Sequence, residues 1–511
     1  MEETNTTRKF SEYAIAAGVI GLLTVFPLVT RDMYFDILQF RYQVFCGISL
    51  TAIAATLICS MIERRKAGRV SAEKIKGISV CEKCILAFWF LCGVSTMLSD
   101  YQYESFWGNE GRLCGFFFLT IAVLLYITIE RKLRFKNWMV DLFLISAVAA
   151  CCWGITDFFK MDLFGFKENI SHDDYKIFVS SIGNVNTYTS YVALAAGISS
   201  VLFISAEKAA ATIWYGACMS VSFFAIIVGQ SDNAYLALGA LFAFLPYYAF
   251  RSMKRLARYV VMLALFFSVI QLISWICTAF KDSIQEFTGI FNVISEISLF
   301  KALLIALWVA AAAAIFWSKK FTGEEHAAVR RNIWSVFLLL AAAGLIALLY
   351  DANTTQNPEK YASLGSYLIF TDDWGTHRMY NWRLGLRHYK DFSLLHKIFG
   401  YGPETYGIVL VTNSYNEMIQ AFGEKYDNAH NEYLQYFITI GPVGLLAYLS
   451  VWIVSIREMI KKAADDPYVI AMVFALICYG AQATVNIAVP MVYPFVWIFL
   501  AMGVAASRNR Q

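Results

Sequence analysis

Apolar residues in this chain come in long unbroken runs, not in the alternation of a half-buried strand or the one-sided stripe of a surface helix. The runs cover 13–29, 39–62, 85–98, 116–129, 138–156, 188–205, 211–229, 233–250, 259–277, 299–317 and 333–350, then 433–456, 468–485 and 491–506. A helix crosses the hydrocarbon of a bilayer with about 20 apolar residues, so the pattern predicts an all-α polytopic membrane protein with about 14 transmembrane helices. Composition agrees. Hydrophobic residues make up 59% of the chain, charged residues 16%, and mean hydropathy is +0.54, whereas soluble domains carry about 45–50% and about 25%. The bilayer is therefore an expected partner and nucleic acid is not. The first run, Tyr13 to Val29, lacks a small-residue cleavage site and reads as a span, not a removable signal.

The pattern changes between the eleventh and twelfth runs. It divides the chain into helices 1–11 (residues 1–350), a long loop (351–432) and helices 12–14 (433–511). The loop holds Trp374, Tyr380, Trp382, Leu384, Leu394 and Ile398, too many apolar residues for a linker, so it is expected to fold with short surface helices. Residues 377–392 predict an amphipathic helix, with Met379, Trp382, Leu386 and Tyr389 on one side and Arg383 and Arg387 off it. Gly400, Gly402 and Pro403 predict a tight turn after it.

Charge orients the spans. Lys and Arg gather at 63–69 with Lys74 and Lys76, at 131–136, 251–258, 319–331 and 457–462, and all fall on one side together with Arg8, Lys9, Arg508 and Arg510. Basic loops stay in the cytoplasm, so both termini are expected there. Segments 99–115, 157–187, 278–298 and the loop 351–432 then lie outside. No internal repeat of the kind many transporters carry is visible.

Little of this composition carries chemistry. Most cysteines sit inside apolar runs and behave as small hydrophobes, and the CEKC spacing at Cys81–Cys84 has no second pair or nearby His. Outside the membrane no Asp-x-Asp pair, HExxH or Cys/His set appears, so neither a metal nor a cofactor is expected. Outer-loop aromatics such as Tyr101, Tyr103, Phe106 and Trp107 are first of all interface anchors. One polar cluster stands out. His430, Asn431 and Glu432 end the long loop at the lip of an apolar helix, where a lipid-borne substrate would present its head group.

The stretch AHNEYLQYFITIGPVGLL (429–446) resembles the HN and G-x-x-G-L signature of the O-antigen ligase and O-antigen polymerase superfamily of bacterial membrane glycosyltransferases. Arg378, Trp382, Gly400, Gly402 and Pro403 are similar to a second family segment, FWGNEGRLCGF (106–116) to an upstream Arg-containing loop, and GNVNTYTSYVALA (183–195) to the start of a middle span. QSDNAYLAL (230–238) departs from the pattern: Asp232 stands where many members have an arginine thought to grip the donor's diphosphate.

The resemblance implies transfer of a glycan from a polyprenyl diphosphate donor to an acceptor hydroxyl, at the outer face of the cytoplasmic (inner) membrane. The acceptor is left open among glycan, lipid and protein. On this reading His430 is the general base, with Glu432 or Asp427 fixing its tautomer or the acceptor. Arg378 and Arg112 lead the residues expected to bind substrate, followed by Arg383, Arg387, Asn431 and Asn186, because a guanidinium fork matches phosphate oxygens. For Asn186, Asp232 and His430, helix capping is the competing reading. A repeat-unit polymerase of the same superfamily uses the same chemistry; a lipid-linked glycan flippase is the alternative from another class.

Overall fold

The computed structural model describes residues 9–66, 77–109, 111–171, 174–321, 326–354 and 358–508. Arg8, the basic residues of 67–76 and Arg510 lie outside them. Among the described residues the regular structure is helical apart from one small hairpin. The first block comprises α1 (Phe10–Thr24), α2 (Ile37–Lys66), α3 (Val80–Leu98), the short α4 (Gln102–Trp107), α5 (Phe116–Lys132) and α6 (Trp138–Phe158). A hairpin of β1 (Phe178–Val179) and β2 (Gly183–Asn184), with Phe178 opposite Asn184, then leads into α7 (Val185–Ser205). After it come α8 (Ala209–Val228), α9 (Asn233–Ala249), α10 (Met253–Ala279), the short α11 (Ile290–Glu296), α12 (Phe300–Ser318) and α13 (Ala327–Thr354).

Between α13 and the last helices the chain forms α14 (Gly365–Leu368), α15 (Trp374–Asp391), α16 (Leu394–Phe399) and α17 (Tyr406–Phe422). It closes with α18 (Glu432–Thr439), α19 (Gly441–Ala463), α20 (Pro467–Gln482) and α21 (Tyr493–Arg508). Among the described residues nine helices are long and apolar enough to cross a membrane, and α1, α9, α20 and α21 are shorter apolar helices.

α7 is the hub: its apolar stretch is wholly buried, while no residue of α13's apolar stretch is. Burial in a bilayer gains nothing from escaping water, so close approach of backbones must hold the helices together. Small residues permit it. A Cβ on Gly197 of α7 would strike the backbone of Phe474 and Ala475 in α20, and Gly18 of α1 rests on Ala52 of α2.

The bundle has two unlike ends. At one end Arg131 pairs with Glu82, Arg508 with Glu130, and Arg251 with Asp465 at 2.9 Å, so the basic helix ends are stitched together by acids. At the other end lie the starts of α5, α7 and α9, the end of α20 and the short helices α14–α18.

The expected helix over 377–392 is present as α15, although Gly375, Thr376 and His377 are left-handed and regular helix begins at Arg378. The run 433–456, expected as one span, is two helices. Gly441 sits at φ 72 between α18 and α19, where a side chain would collide with the carbonyl of Ile398. Gly400, also at φ 72, presses on the backbone of Thr439 from the other side, and Gly402 N–H donates to Thr439 O at 2.7 Å. The glycine turn thus docks in the helix break, an arrangement only glycine allows at both positions. α17, which breaks helical geometry at Ser414, has no counterpart in the sequence expectations.

Candidate active site

His430 lies in a short segment between α17 and α18, in a left-handed conformation (φ 47) that few non-glycine residues adopt. Hydrogen bonds to its neighbours hold it there. Its own N–H donates to Asn428 Oδ1 at 3.0 Å. Trp382 Nε1 donates to Ala429 O at 2.6 Å, and Gln435 Oε1 accepts from Ala429 N at 3.0 Å. Asn381 Nδ2 donates to Asn428 O at 2.8 Å, and Tyr406 OH fixes Asn381 through its carbonyl and side-chain oxygens, both at 2.9 Å. α15 thus clamps the segment on one side and α18 on the other. Trp382 is a named motif residue; Asn381, Tyr406 and Gln435 lie within the recognised segments but are not singled out there, and Asn428 lies outside them.

Two guanidinium groups act on the imidazole. Burial pushes the His430 pKa down to about 4, Arg378 and then Arg112 push the same way, and Asp427 opposes them. The ring is therefore uncharged at any pH well above 4. Arg112 Nη2 reaches Asp427 Oδ2 at 2.9 Å and Oδ1 at 3.2 Å, while its Nε is buried with no hydrogen-bond partner. Asp427 thus serves Arg112 directly. Arg378 is half-buried; burial lowers its pKa and the Asp232 charge raises it. Reciprocally, burial raises the Asp232 carboxyl and Arg378 lowers it. Asp232 precedes α9 but makes no side-chain cap hydrogen bond, so the capping expectation fails there.

Arg112 and His430 line one cavity of about 610 Å³, which continues to Asn186, Asn184 and the α1–α2 corner. The Asn186 side chain accepts from Ser231, and its carbonyl accepts from Asn233 Nδ2 at 2.9 Å and Asn486 Nδ2 at 3.1 Å. This amide network joins the ends of α7, α9 and α20. Other sequence candidates lie elsewhere. Asn431 caps α18, accepting from Tyr433 N at 3.1 Å and Leu434 N at 3.0 Å. Glu432 is turned into the bundle, where Tyr448 and Tyr479 donate to it, the latter at 2.9 Å. It does not orient His430 because its carboxylate is taken up by those hydroxyls. Arg383 pairs with Asp372, and Arg387 with Glu417 at 2.5 Å, both on the exposed side of α15. No group of three or more His, Cys, Asp or Glu converges among the described residues.

A buried acid unnoticed in the sequence is Glu404, in the turn before α17. Burial pushes its carboxyl up to about 7, with Arg112 opposing and Asp427 and Glu432 adding. The fold therefore favours the protonated form. That contribution to stability is complete below about pH 4.5, where the unfolded chain is protonated too, and is lost as pH rises through about 7. Glu404→Gln should flatten the fall in melting temperature between pH 5 and pH 8 in detergent. An unchanged slope would clear Glu404 as its source.

Compared with known proteins, residues 295–449 match the family model for O-antigen ligase. No curated protein matches the chain. The matched segment includes Arg378, Asp427, His430 and the helix break, whereas Arg112, Asn186 and Asp232 precede it.

Proposed function

Since the chain belongs to the O-antigen ligase superfamily, we propose that it transfers a glycan from a polyprenyl diphosphate to an acceptor hydroxyl at the outer face of the cytoplasmic membrane. One observation carries this reading: Arg112 and His430 line one cavity, and Arg378 and Arg112 add to burial in holding the imidazole's pKa down. Arg378 and Arg112 hold the diphosphate; His430 takes the acceptor's proton as the acceptor oxygen bonds to the sugar's anomeric carbon. The bond from that carbon to the diphosphate breaks, and the leaving group departs against the two cations.

Donor binding also adjusts the base. A free imidazole with a pKa near 4 is a weak proton acceptor. Burial is the main cause of that low value; the arriving diphosphate offsets the positive charges that add to it, so basicity rises when substrate is in place. Asp232, beside Arg378, is on this reading the counter-charge of the empty site. Ligase and polymerase share this chemistry and differ in the acceptor. The test is genetic: removing the protein should build up polyprenyl-linked glycan, and wild-type protein should clear it. No build-up would defeat the proposal.

The orientation follows from the basic end of the bundle, which belongs in the cytoplasm. We place both termini there, about 14 spans between them, and α14–α18 outside. A cysteine replacing exposed Ser366, in a cysteine-free background, should react with an impermeant maleimide in spheroplasts. Labelling only after lysis would turn the site to the cytoplasm.

A further inference from the structure

A second polar cavity lies at the end of the bundle away from His430, where the proposed chemistry has no part. It holds about 320 Å³ and is enclosed by the end of α7 with Glu207, the α9–α10 corner, and Asp465 between α19 and α20. Three cations line it, and they are not equivalent. Arg251 is engaged: its Nη1 donates to Ala464 O at 2.8 Å and meets Asp465 Oδ1 at 2.9 Å. Nearby Arg258 is engaged too, donating to the carbonyls of Phe203 at 3.2 Å and Ala206 and to Thr212 Oγ1 at 3.1 Å. Lys254 and Arg255 differ. Among the described residues neither side chain makes an ion pair or a hydrogen bond, and neither does Glu207 at the rim.

Arg255 is nevertheless held in position. Its Cζ lies 4.4 Å from the centroid of the Tyr248 ring, and buried Tyr248 accepts from Ser205 Oγ at 3.2 Å. A guanidinium laid on a ring keeps its in-plane N–H groups for an oxyanion at its edge. Ser252 caps α10, accepting from Arg255 N at 3.2 Å, so the amino end of a 27-residue helix adds its partial positive charge at the same place. These features fit a phosphate group.

The setting narrows the source of that phosphate. The cavity lies where helices end, and exposed Ile213 and Trp214 follow Thr212 on α8. Trp334 of α13 packs on Phe250, the neighbour of Arg251, with centroids 6.2 Å apart. Tryptophans at helix ends mark the membrane interface, the layer of phospholipid head groups. Basic pockets between spans at that level take anionic head groups.

We infer that this cavity binds the phosphate of an anionic phospholipid, held by Arg255 and Lys254. The inference depends neither on the transfer reaction nor on which side of the membrane this end faces. The bound lipid bridges α7, α9 and the start of α20. The same three helices meet again at their other ends, where Asn233 Nδ2 donates to Asn186 O at 2.9 Å and Gln482 Oε1 at 3.2 Å.

Full-length protein in neutral detergent is titrated with phosphatidylglycerol, with zwitterionic phosphatidylcholine and with inorganic phosphate, and bound lipid is counted by native mass spectrometry. Wild type should hold one phosphatidylglycerol about tenfold more tightly than phosphatidylcholine. Arg255→Ala and Lys254→Ala should each weaken phosphatidylglycerol about fivefold, the effect of one cation near the head groups. Glu207→Gln should tighten it by a similar factor, a gain that misfolding cannot produce. Lys319→Ala, at the exposed end of α12, controls for diffuse charge and should change nothing. Equal binding of the two lipids, unchanged affinity in either Arg255→Ala or Lys254→Ala, or an equal loss in Lys319→Ala overturns the site. Inorganic phosphate binding as tightly as phosphatidylglycerol, and lost in the same variants, would assign the cavity to a soluble phosphate and overturn the lipid.

Discussion

Cells whose only copy carries His430→Ala are expected to accumulate polyprenyl-linked glycan as fully as cells lacking the protein, with the variant present in the membrane at normal levels. Loss of a general base lowers rate by about 10²–10⁴-fold, well below what a growing cell needs. Because His430 is left-handed, His430→Asn is the companion variant, asparagine being at ease in that conformation. Both should fail alike, which separates lost chemistry from lost backbone geometry. In wild type, kcat/KM should stay level from pH 8 down to about pH 5 and fall only as the pH nears 4, where the imidazole of the free enzyme takes up its proton. Normal transfer by either variant would end the base assignment. A fall centred near 6.5 would mean that neither burial nor the arginines act on the ring as described.

Arg378→Lys should weaken undecaprenyl diphosphate binding by about ten- to a hundredfold although the charge is kept, since an ammonium cannot offer two parallel N–H donors to a diphosphate. Arg378→Ala should do at least as much harm, and it should also move the acid limb of the pH profile upward, because one of the charges that depress His430 is gone. The joint effect distinguishes a residue facing donor and base from one that anchors α15 at the interface. Arg378→Lys and Arg378→Ala binding the lipid as wild type does would exclude Arg378 from the site.

The site was partly legible. The HN segment and Arg378 sit in recognisable motifs, and Arg112 was picked out by a loop pattern. What could not be read was which of these polar groups meet. Glu432 or Asp427 was expected to fix the tautomer of His430 or the acceptor; the Asp427 carboxylate pairs with Arg112, 315 residues earlier, while its charge still acts on the imidazole. Glu432 was expected beside the imidazole, but two tyrosines from α19 and α20 draw its carboxylate into the bundle. Asn381 and Gln435, which clamp the histidine's segment, are ordinary polar residues until the fold brings them within hydrogen-bond range of Asn428 and Ala429.

By itself the sequence determined most of the long apolar helices, though neither α17 nor the division of 433–456, and it set the expectation of which loops share a side. A bilayer demands apolar length from each span on its own, and loop charges report the side independently of packing. Only the tertiary structure decided the break at Gly441, the seating of the glycine turn against it, and the cavity joining Arg112 to His430. These depend on backbones touching and on side chains from distant segments sharing one low-dielectric space. Hydropathy records a preference for lipid and carries no record of which neighbour fills a contact.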